Sequence, residues 1–318
     1  MRKWFAALVV VFVLGVACIY IFIPGNLDVG QEVSVSCTQG GAYRFLSDEN
    51  NWQKWWPDSG KDSNSTKTDT GSVFTYKGYN FKILQRSYDM TAIQVSSPGM
   101  NAISTIKILP LLIDSVAIQW ECTLVTGLNP FIRLQKYIYA GQIEDNMSDV
   151  LLAFKQFMGS KKNIYGYDIE QIKVTDTLLI TTKKTFKEYP GTAAIYELLN
   201  TLKKNIASAG AKETHYPMMN VRTTDSNYYE AMVAIPINTE IKPGQGAFIK
   251  RMAPGKILVT DPVNGGDYSV RQAFKEVENY ISDYKRVSPA IPFESLETDR
   301  QSEPDTLKWS TRIYYPVF

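Results

Sequence analysis

The chain has 318 residues, enough for two globular domains and a targeting segment. Hydrophobic residues make up 44% and charged residues 21%, which excludes an intrinsically disordered protein. The net charge is +2 without a run of basic residues, so we predict no nucleic-acid partner. The single histidine, His215, cannot build a histidine-rich metal site, and we predict no metal ion and no cofactor.

An uncharged apolar run of 20 residues occupies positions 4–23. At about 1.5 Å per residue, a helix of this length spans the hydrocarbon core of a bilayer, about 30 Å thick. Arg2 and Lys3 precede the run, and the next basic residue is Arg44. The positive-inside rule therefore predicts a single-pass anchor over residues 1–30, with a cytoplasmic N-terminus and the soluble domains outside the cytoplasm. A cleaved signal peptide is the alternative.

Residues 31–163 are predicted to form one α+β domain. A strand at 32–37 is followed by two short helices, at 42–46 and 50–55, and by a polar loop at 57–70. Five strands at hairpin spacing follow, at 73–77, 79–87, 91–95, 102–109 and 116–125. A helical turn at 129–139 then precedes a long amphipathic helix at 141–162. Cys37 and Cys122 fall in separate predicted strands, either as buried thiols or as a disulfide.

Three tracts of this domain stand out, namely VSVS at 33–36, AYRFLSD at 42–48 and the tryptophan-rich NWQKWWP at 51–57. They resemble segments of the helix-grip fold of the SRPBCC superfamily (START, polyketide cyclase and Bet v-type proteins), particularly its membrane-anchored bacterial members. The resemblance implies a long helix lying across a curved sheet, with an apolar ligand between them. Trp120 and Tyr79 are then candidate ligand-binding residues, and a filled core is the alternative.

The C-terminal part, residues 164–318, contains one supersecondary unit twice. Helices predicted at 191–202 and 266–277 carry apolar residues at equivalent positions of one face. A turn and a β-rich run precede each helix, at 174–181 with Asp176 and at 253–260 with Pro254-Gly255. Further strands are predicted at 218–222, 228–237 and 307–317. The duplication predicts two half-domains related by a pseudo-twofold axis, with a cleft between them.

Four tracts of this part are YEAMVAIPI at 229–237, GGDY at 265–268, IPFE at 291–294 and WSTRIYYPV at 309–317. They resemble the GyrI-like effector-binding domain found in multidrug-sensing transcription regulators. The resemblance implies a cleft for amphipathic, often cationic aromatic compounds, with Glu294 facing the positive charge and Tyr268 and Trp309 as ring contacts. Leu296 departs from the family pattern, which usually has a tyrosine there. The alternative is that Glu294 is a surface acid.

The predicted fold class is therefore α+β, with a transmembrane helix, a helix-grip domain and a GyrI-like duplicated β-hairpin–helix–strand domain. The function that this organisation favours is a membrane-tethered protein that senses, sequesters or transfers a lipophilic or amphipathic ligand, which can be cationic. The alternative is a hydrolase or cyclase using Glu294 with Tyr268. A protein-interaction scaffold is a third hypothesis. Few residues suit proton transfer near neutral pH, which favours binding, and the sequence identifies neither a catalytic residue nor a protein partner.

Overall fold

The computed structural model describes residues 2–57, 65–68, 71–87, 90–175, 178–224, 227–252, 254–288 and 290–317. Within these residues the protein is a mixed α+β fold with two large antiparallel sheets. It divides into two compact units, Met1–Ser160 and Lys161–Phe318. The predicted turn residue Asp176 and most of the predicted polar loop at 57–70 lie outside the described residues.

The first helix, α1, covers Arg2–Phe22. Its span Lys3–Phe22 has a mean hydropathy of 2.9, and α1 is the one helix in the described part of the chain that is long and apolar enough to cross a membrane. Tyr20, near its end, is fixed to the first unit, because its hydroxyl donates to the carbonyl of Leu128 and its ring lies 4.9 Å from the Arg133 guanidinium.

The other elements of the first unit follow in chain order: β1 Asn26–Val35, α2 Gln39–Ser47, α3 Glu49–Trp55, β2 Ser65–Thr68, β3 Gly71–Tyr76, β4 Tyr79–Arg86, β5 Met90–Ser97, β6 Met100–Leu112, β7 Ser115–Val125 and α4 Pro130–Met158. Among the described residues the strands form a seven-stranded antiparallel sheet in the order β1-β7-β6-β5-β4-β3-β2. β1 begins six residues before its predicted start, because Asn26 to Gln31 pair with β7 in register despite their low strand propensity.

Tryptophans fasten the two short helices to the first sheet. The indole N–H groups of Trp52 and Trp55 donate to the carbonyls of Leu46 and Phe45, at 2.9 and 3.1 Å. Trp52 stacks on Trp56 with 5.1 Å between ring centroids. These contacts satisfy the buried N–H groups while the rings fill the core, which explains why aromatic residues cluster in this tract.

Helix α4 corrects one prediction. Instead of a helical turn and a separate helix starting at Gly141, one continuous helix of 29 residues runs through Gly141. Asn129 caps its start, because its side-chain oxygen accepts from the N–H of Phe131 at 2.9 Å. Pro130 occupies the first turn, where the backbone N–H that proline lacks would have no partner within the helix. Glycine in a helix interior costs only about 1 kcal/mol, which packing of the rest of the helix outweighs.

The second unit contains the following elements: α5 Lys161–Tyr165, β8 Ile169–Lys173, β9 Leu178–Phe186, α6 Thr192–Ser208, β10 Met218–Thr223, β11 Tyr229–Pro236, β12 Ala247–Arg251, β13 Lys256–Thr260, β14 Val263–Asn264, α7 Asp267–Asp283, β15 Phe293–Leu296 and β16 Ser310–Val317. A 3₁₀ turn at Thr306–Lys308 precedes β16. No bounds were predicted from the sequence for β8, β12, β14 or β15, although the hairpin predicted ahead of each helix implies a first strand in each copy.

The second sheet bears out the duplication. Its strand order among the described residues is β12-β9-β11-β10-β15-β16-β13-β8, with β14 paired to β16. The first copy supplies β8, β9, β10 and β11 and the second copy β12, β13, β15 and β16, so the order is the same from both ends when the copies are exchanged. The pseudo-twofold axis passes between β10 and β15, which pair through Met218–Ser295 and Met219–Glu294.

The predicted hairpins are wrong in their partners. β9 does not pair with β8 of its own copy but with β12 of the other copy, and β13 pairs with β8. The first strand of each copy therefore pairs with the second strand of the other copy. The local turn signals at 174–181 and 253–260 could not reveal this exchange, because strand partners are chosen by long-range packing.

The two faces of this sheet are occupied differently. On one face the α6 residues Ile195, Leu199 and Leu202 belong to one buried cluster with Ile180 and Val233 of the sheet. A separate cluster on the opposite face contains Leu179, Met218, Ala234, Ile257 and Phe293. Successive residues of a strand point to opposite faces, so neighbours such as Leu179 and Ile180 serve different sides.

Candidate ligand-binding site

Glu294 lies on β15 beside the pseudo-twofold axis, paired with Met219 of β10. Glu294 is buried, with 6% of its surface exposed. The alternative prediction of a surface acid at this position is therefore wrong. The nearest cation is Arg300, whose Nη2 lies 3.4 Å from the Glu294 Oε2.

Arg300 comes from the loop between β15 and β16, and its side chain enters the protein while Asp299 and Gln301 on either side remain exposed. Nη2 donates to the Thr311 hydroxyl at 2.8 Å, and the guanidinium carbon lies 4.8 Å from the Trp309 ring. The Arg300 Nε is buried without a hydrogen-bond partner among the described residues. Arg300 therefore fills the position in front of the acid and the ring that the sequence assigned to a cationic ligand.

Burial raises the pKa of Glu294 to about 7, although the Arg300 guanidinium acts in the opposite direction. The 3.4 Å contact is long for a charge-assisted hydrogen bond, which is consistent with burial as the larger effect. Burial, followed by the neighbouring Glu294 charge, raises the pKa of Tyr189 to about 12. A small space beside Arg300, lined also by Tyr189, holds about 20 Å³, about the volume of one water.

The other predicted site residues are separated. Tyr268 is 70% exposed, whereas Glu294 is buried. Trp120 is fully buried in the first unit, where its indole N–H donates to the Ser104 hydroxyl at 2.9 Å and its ring meets Phe81 edge-on. Tyr79 is 5% exposed, and its hydroxyl donates to the Gln142 side chain at 2.7 Å. Among the predicted site residues, Glu294 and Trp309 are linked through Arg300, which contacts both.

A larger cavity lies on the opposite side of the second sheet. Its volume is about 290 Å³. Phe293 lines it while the adjacent Glu294 points to the α6 side, as alternation along β15 requires. We call it the sheet-face cavity, and its walls include the apolar side chains of Leu179, Met218, Met232, Ala234, Met252 and Phe293.

Two kinds of polar group interrupt these apolar walls. The Thr181 hydroxyl is buried and has no hydrogen-bond partner among the described residues. The charged side chains in the described lining are Lys250, Arg251 and Lys256, all of them basic. In an apolar pocket, a few polar groups such as this hydroxyl and these cations can fix the orientation of an amphipathic ligand.

Sequence reasoning missed this cavity. The available signal was the concentration of methionines between positions 218 and 252, which holds four of the nine in the chain. Methionine is flexible and polarizable, and adaptable binding surfaces use it heavily. No group of three or more His, Cys, Asp or Glu side chains within the described residues could hold a metal ion. Both buried cysteines, Cys37 and Cys122, are free thiols.

No protein-family model matches the sequence, and no curated protein matches it. Similar solved structures include the EcmrR C-terminal domain, with 14% identity, 48% of this chain and 98% of that chain covered, and a TM-score of 0.41. SAV2435 bound to tetraphenylphosphonium has 17% identity, covering 48% and 93% of the two chains, with a TM-score of 0.32. The Aha1 dimer from Colwellia psychrerythraea has 12% identity, covering 42% and 96%, with a TM-score of 0.31. Likenesses this distant assign no function to the chain.

Proposed function

We propose that this chain is a membrane-tethered binding protein whose C-terminal unit takes up a lipophilic small molecule in the sheet-face cavity. The cavity itself carries the proposal. Its volume of about 290 Å³ is close to the lower end of the range of ordinary ligand pockets, roughly 300–1,000 Å³. Transfer of apolar ligand surface from water into such a volume contributes about 25 cal/mol per Å².

The site around Glu294 supports a ligand less well. Arg300 already neutralises the acid and lies over Trp309, so an incoming cation must displace a side chain of the protein. The remaining volume of about 20 Å³ accepts no molecule of drug size. We therefore propose the sheet-face cavity, and not the cleft beside Glu294, as the binding site.

The enzymatic alternative depends on the same acid. A carboxyl group with a pKa of about 7 suits a general base near neutral pH. A base must also reach its substrate, and Glu294 is buried, while the small space beside its partner Arg300 is too small for one. Tyr268, the proposed partner, has a side chain that is largely exposed to solvent. Binding is therefore the function that the geometry supports better.

The membrane tether is the second part of the proposal. It is supported by α1 and by exposed apolar side chains where α4 begins, with Leu128 at 88% and Phe131 at 69%. Arg133 joins the two regions, because its Nε donates to the Ile23 carbonyl at 2.7 Å just after α1. We propose that α1 spans the membrane with its N-terminus in the cytoplasm and the units outside. Extraction of the intact chain by alkaline carbonate would contradict this arrangement.

Native mass spectrometry of the detergent-extracted protein tests the binding proposal. We expect the wild-type protein, after incubation with a total lipid extract, to carry a small molecule that dissociates on activation. Ala234→Phe places a ring in the cavity and is expected to abolish this adduct. Met232→Trp, at a half-buried wall position, is a second blocking variant in case the first fails to fold.

The matched control is Ala207→Phe, which adds the same ring at an exposed position of α6. It is expected to keep the adduct. The proposal fails when the wild-type protein carries no lipophilic adduct, or when the folded blocking variants carry as much of it as the control.

A further inference from the structure

We infer that the sheet-face cavity selects an amphiphile with an anionic head group, a carboxylate or a phosphate, whose apolar chain enters the cavity while Lys250 and Lys256 bind the head. This inference rests on the proposed function and specifies the ligand class of that site. It is opposite in sign to the cationic ligand that the sequence suggested through Glu294.

The charge distribution around the cavity supports this assignment. Lys250, Arg251 and Lys256 line the cavity, and none of its described lining residues is acidic. Arg251 is already paired, with its Nη2 2.6 Å from the Glu240 carboxylate. Neither lysine has a carboxylate within ion-pair distance among the residues that the structure describes. Two unpaired cations at an apolar opening attract an anion and repel a cation.

Lys250 is placed to act at the boundary between water and the apolar walls. It is half-buried on β12, and its Nζ lies 4.0 Å from the Met232 sulfur of the cavity wall. The aliphatic part of a lysine covers apolar surface while its ammonium group remains at the polar edge. A head group at this edge would replace part of the water that now solvates the ammonium group.

Thr181 supplies an independent observation from inside the cavity. Its hydroxyl is completely buried in the wall, and it has no partner among the described residues. Buried polar groups in folded proteins are normally hydrogen-bonded, so an unpartnered one indicates a missing ligand atom or water.

The opening continues into a groove with more positive charge. A neighbouring depression of about 350 Å³ shares Met232 and Lys250 with the cavity. It adds Lys183 and Arg222, which both bind the single acid Glu230, at 3.0 and 2.8 Å. The groove thus remains basic overall along the path by which an anionic amphiphile would enter.

Scintillation-proximity binding of matched twelve-carbon probes to the full chain in detergent tests this inference. The probes are tritiated dodecanoate and tritiated dodecanol, with dodecylamine as a competitor. We expect dodecanoate to bind more tightly than dodecanol, and dodecylamine to compete weakly. In the Lys250→Gln/Lys256→Gln variant, dodecanoate affinity should fall at least about tenfold, since each of the two charge-assisted contacts is worth roughly that factor. Dodecanol affinity should change less than about twofold, because its contacts are apolar.

The control variant is Lys204→Gln/Lys275→Gln, which removes the same charge from exposed positions on α6 and α7. It should bind both probes like the wild type. Competition by oleate and by lysophosphatidate separates a fatty-acid head from a phosphate head.

The outcomes separate this inference from the proposed function. The anionic assignment is overturned when the Lys250→Gln/Lys256→Gln variant loses affinity equally for dodecanoate and dodecanol, or loses none. It is also overturned when the wild type prefers dodecylamine. In each case, binding of dodecanol to the wild type still supports the lipophilic site. Binding of neither probe to the wild type overturns the site and the head-group assignment together.

Discussion

Thr181 and Thr182 are neighbours on β9, and their hydroxyl groups differ in a way that stability measurements can detect. The Thr182 hydroxyl donates to the Gly246 carbonyl at 2.7 Å. The Thr181 hydroxyl, on the cavity side, has no partner among the described residues. An unsatisfied buried hydroxyl costs about 1–3 kcal/mol, whereas a made hydrogen bond contributes about 1 kcal/mol.

We therefore predict opposite effects of one substitution at the two positions. In the ligand-free protein, Thr181→Val should raise the free energy of unfolding of the C-terminal unit by about 1 kcal/mol, because it removes an unsatisfied group. Thr182→Val should lower it by about 1 kcal/mol, because it breaks a hydrogen bond. Urea unfolding of both variants is the measurement. Destabilisation of similar size in both would contradict the assignment of Thr181 to the cavity.

Glu294 gives the C-terminal unit a characteristic pH dependence. Its pKa rises on folding from 4.5 to about 7, chiefly because the group is buried. Between these pH values the folded state binds more protons than the unfolded state, so stability falls as the pH rises. The stability that the protonated Glu294 contributes is complete below about pH 4.5 and is lost as the pH rises through about 7.

The variant Glu294→Gln should flatten this dependence. Unfolding free energies measured from pH 5 to pH 8 should decline in the wild type and decline less in the variant. Arg300 lies unpaired in the variant at every pH, so it changes the absolute stability but not the slope. The single histidine is present in both proteins and cancels in the comparison. Parallel profiles would show that the acid is ionised in the folded protein throughout this range.

At the scale of elements, the continuity of α4 gives a prediction about Gly141. A methyl group at this exposed position would meet nothing within 4 Å. Gly141→Ala should therefore stabilise the first unit by about 0.5–1 kcal/mol through helix propensity alone. Gly127, just before α4, has a φ of +75°, so Gly127→Ala should destabilise the unit even though space is free. Thermal unfolding measures both, and a neutral or destabilising Gly141→Ala would favour the two-helix interpretation of the sequence.

The sequence predicted most elements of the second unit because their signals are local. The equivalent apolar positions of α6 and α7 follow from spacing along the chain, and the palindromic strand order bears out the duplication. The exchange of β8 and β12 between copies was missed, because no residue near either strand specifies a partner in the other copy. Glycine at position 141 likewise suggested a boundary that tertiary packing overrides.

The candidate site was predictable only in part, and for a related reason. The motif around Glu294 identified a buried acid, but the internal cation from Arg300 sits in a loop that has no distinctive pattern. The sheet-face cavity depends on Phe293, one residue away, and on methionines from three other strands or loops. Which side of β15 is hollow depends on the packing of both faces, and the alternation of residues along one strand cannot reveal it.

At the scale of the whole molecule, different parts of the chain have separate proposed roles. We propose that α1 holds the protein at a membrane, while the second unit offers a lipophilic molecule a cavity on one face of its sheet. On the other face, the Glu294–Arg300 pair occupies the pseudo-twofold centre. A ligand that reaches the cavity therefore contacts residues of both copies, Met218 and Met232 from the first and Met252 and Phe293 from the second.

Methyl NMR of the full chain, with its nine methionines labelled with ¹³C at the methyl group, locates the ligand most directly. Titration with dodecanoate should shift the resonances of Met218, Met232 and Met252, which line the cavity. The signals of Met147 and Met158, buried in the first unit, should stay in place. Shifts confined to Met147 and Met158, or unchanged signals from Met218, Met232 and Met252 at saturating ligand, would contradict the assignment of the sheet-face cavity as the binding site.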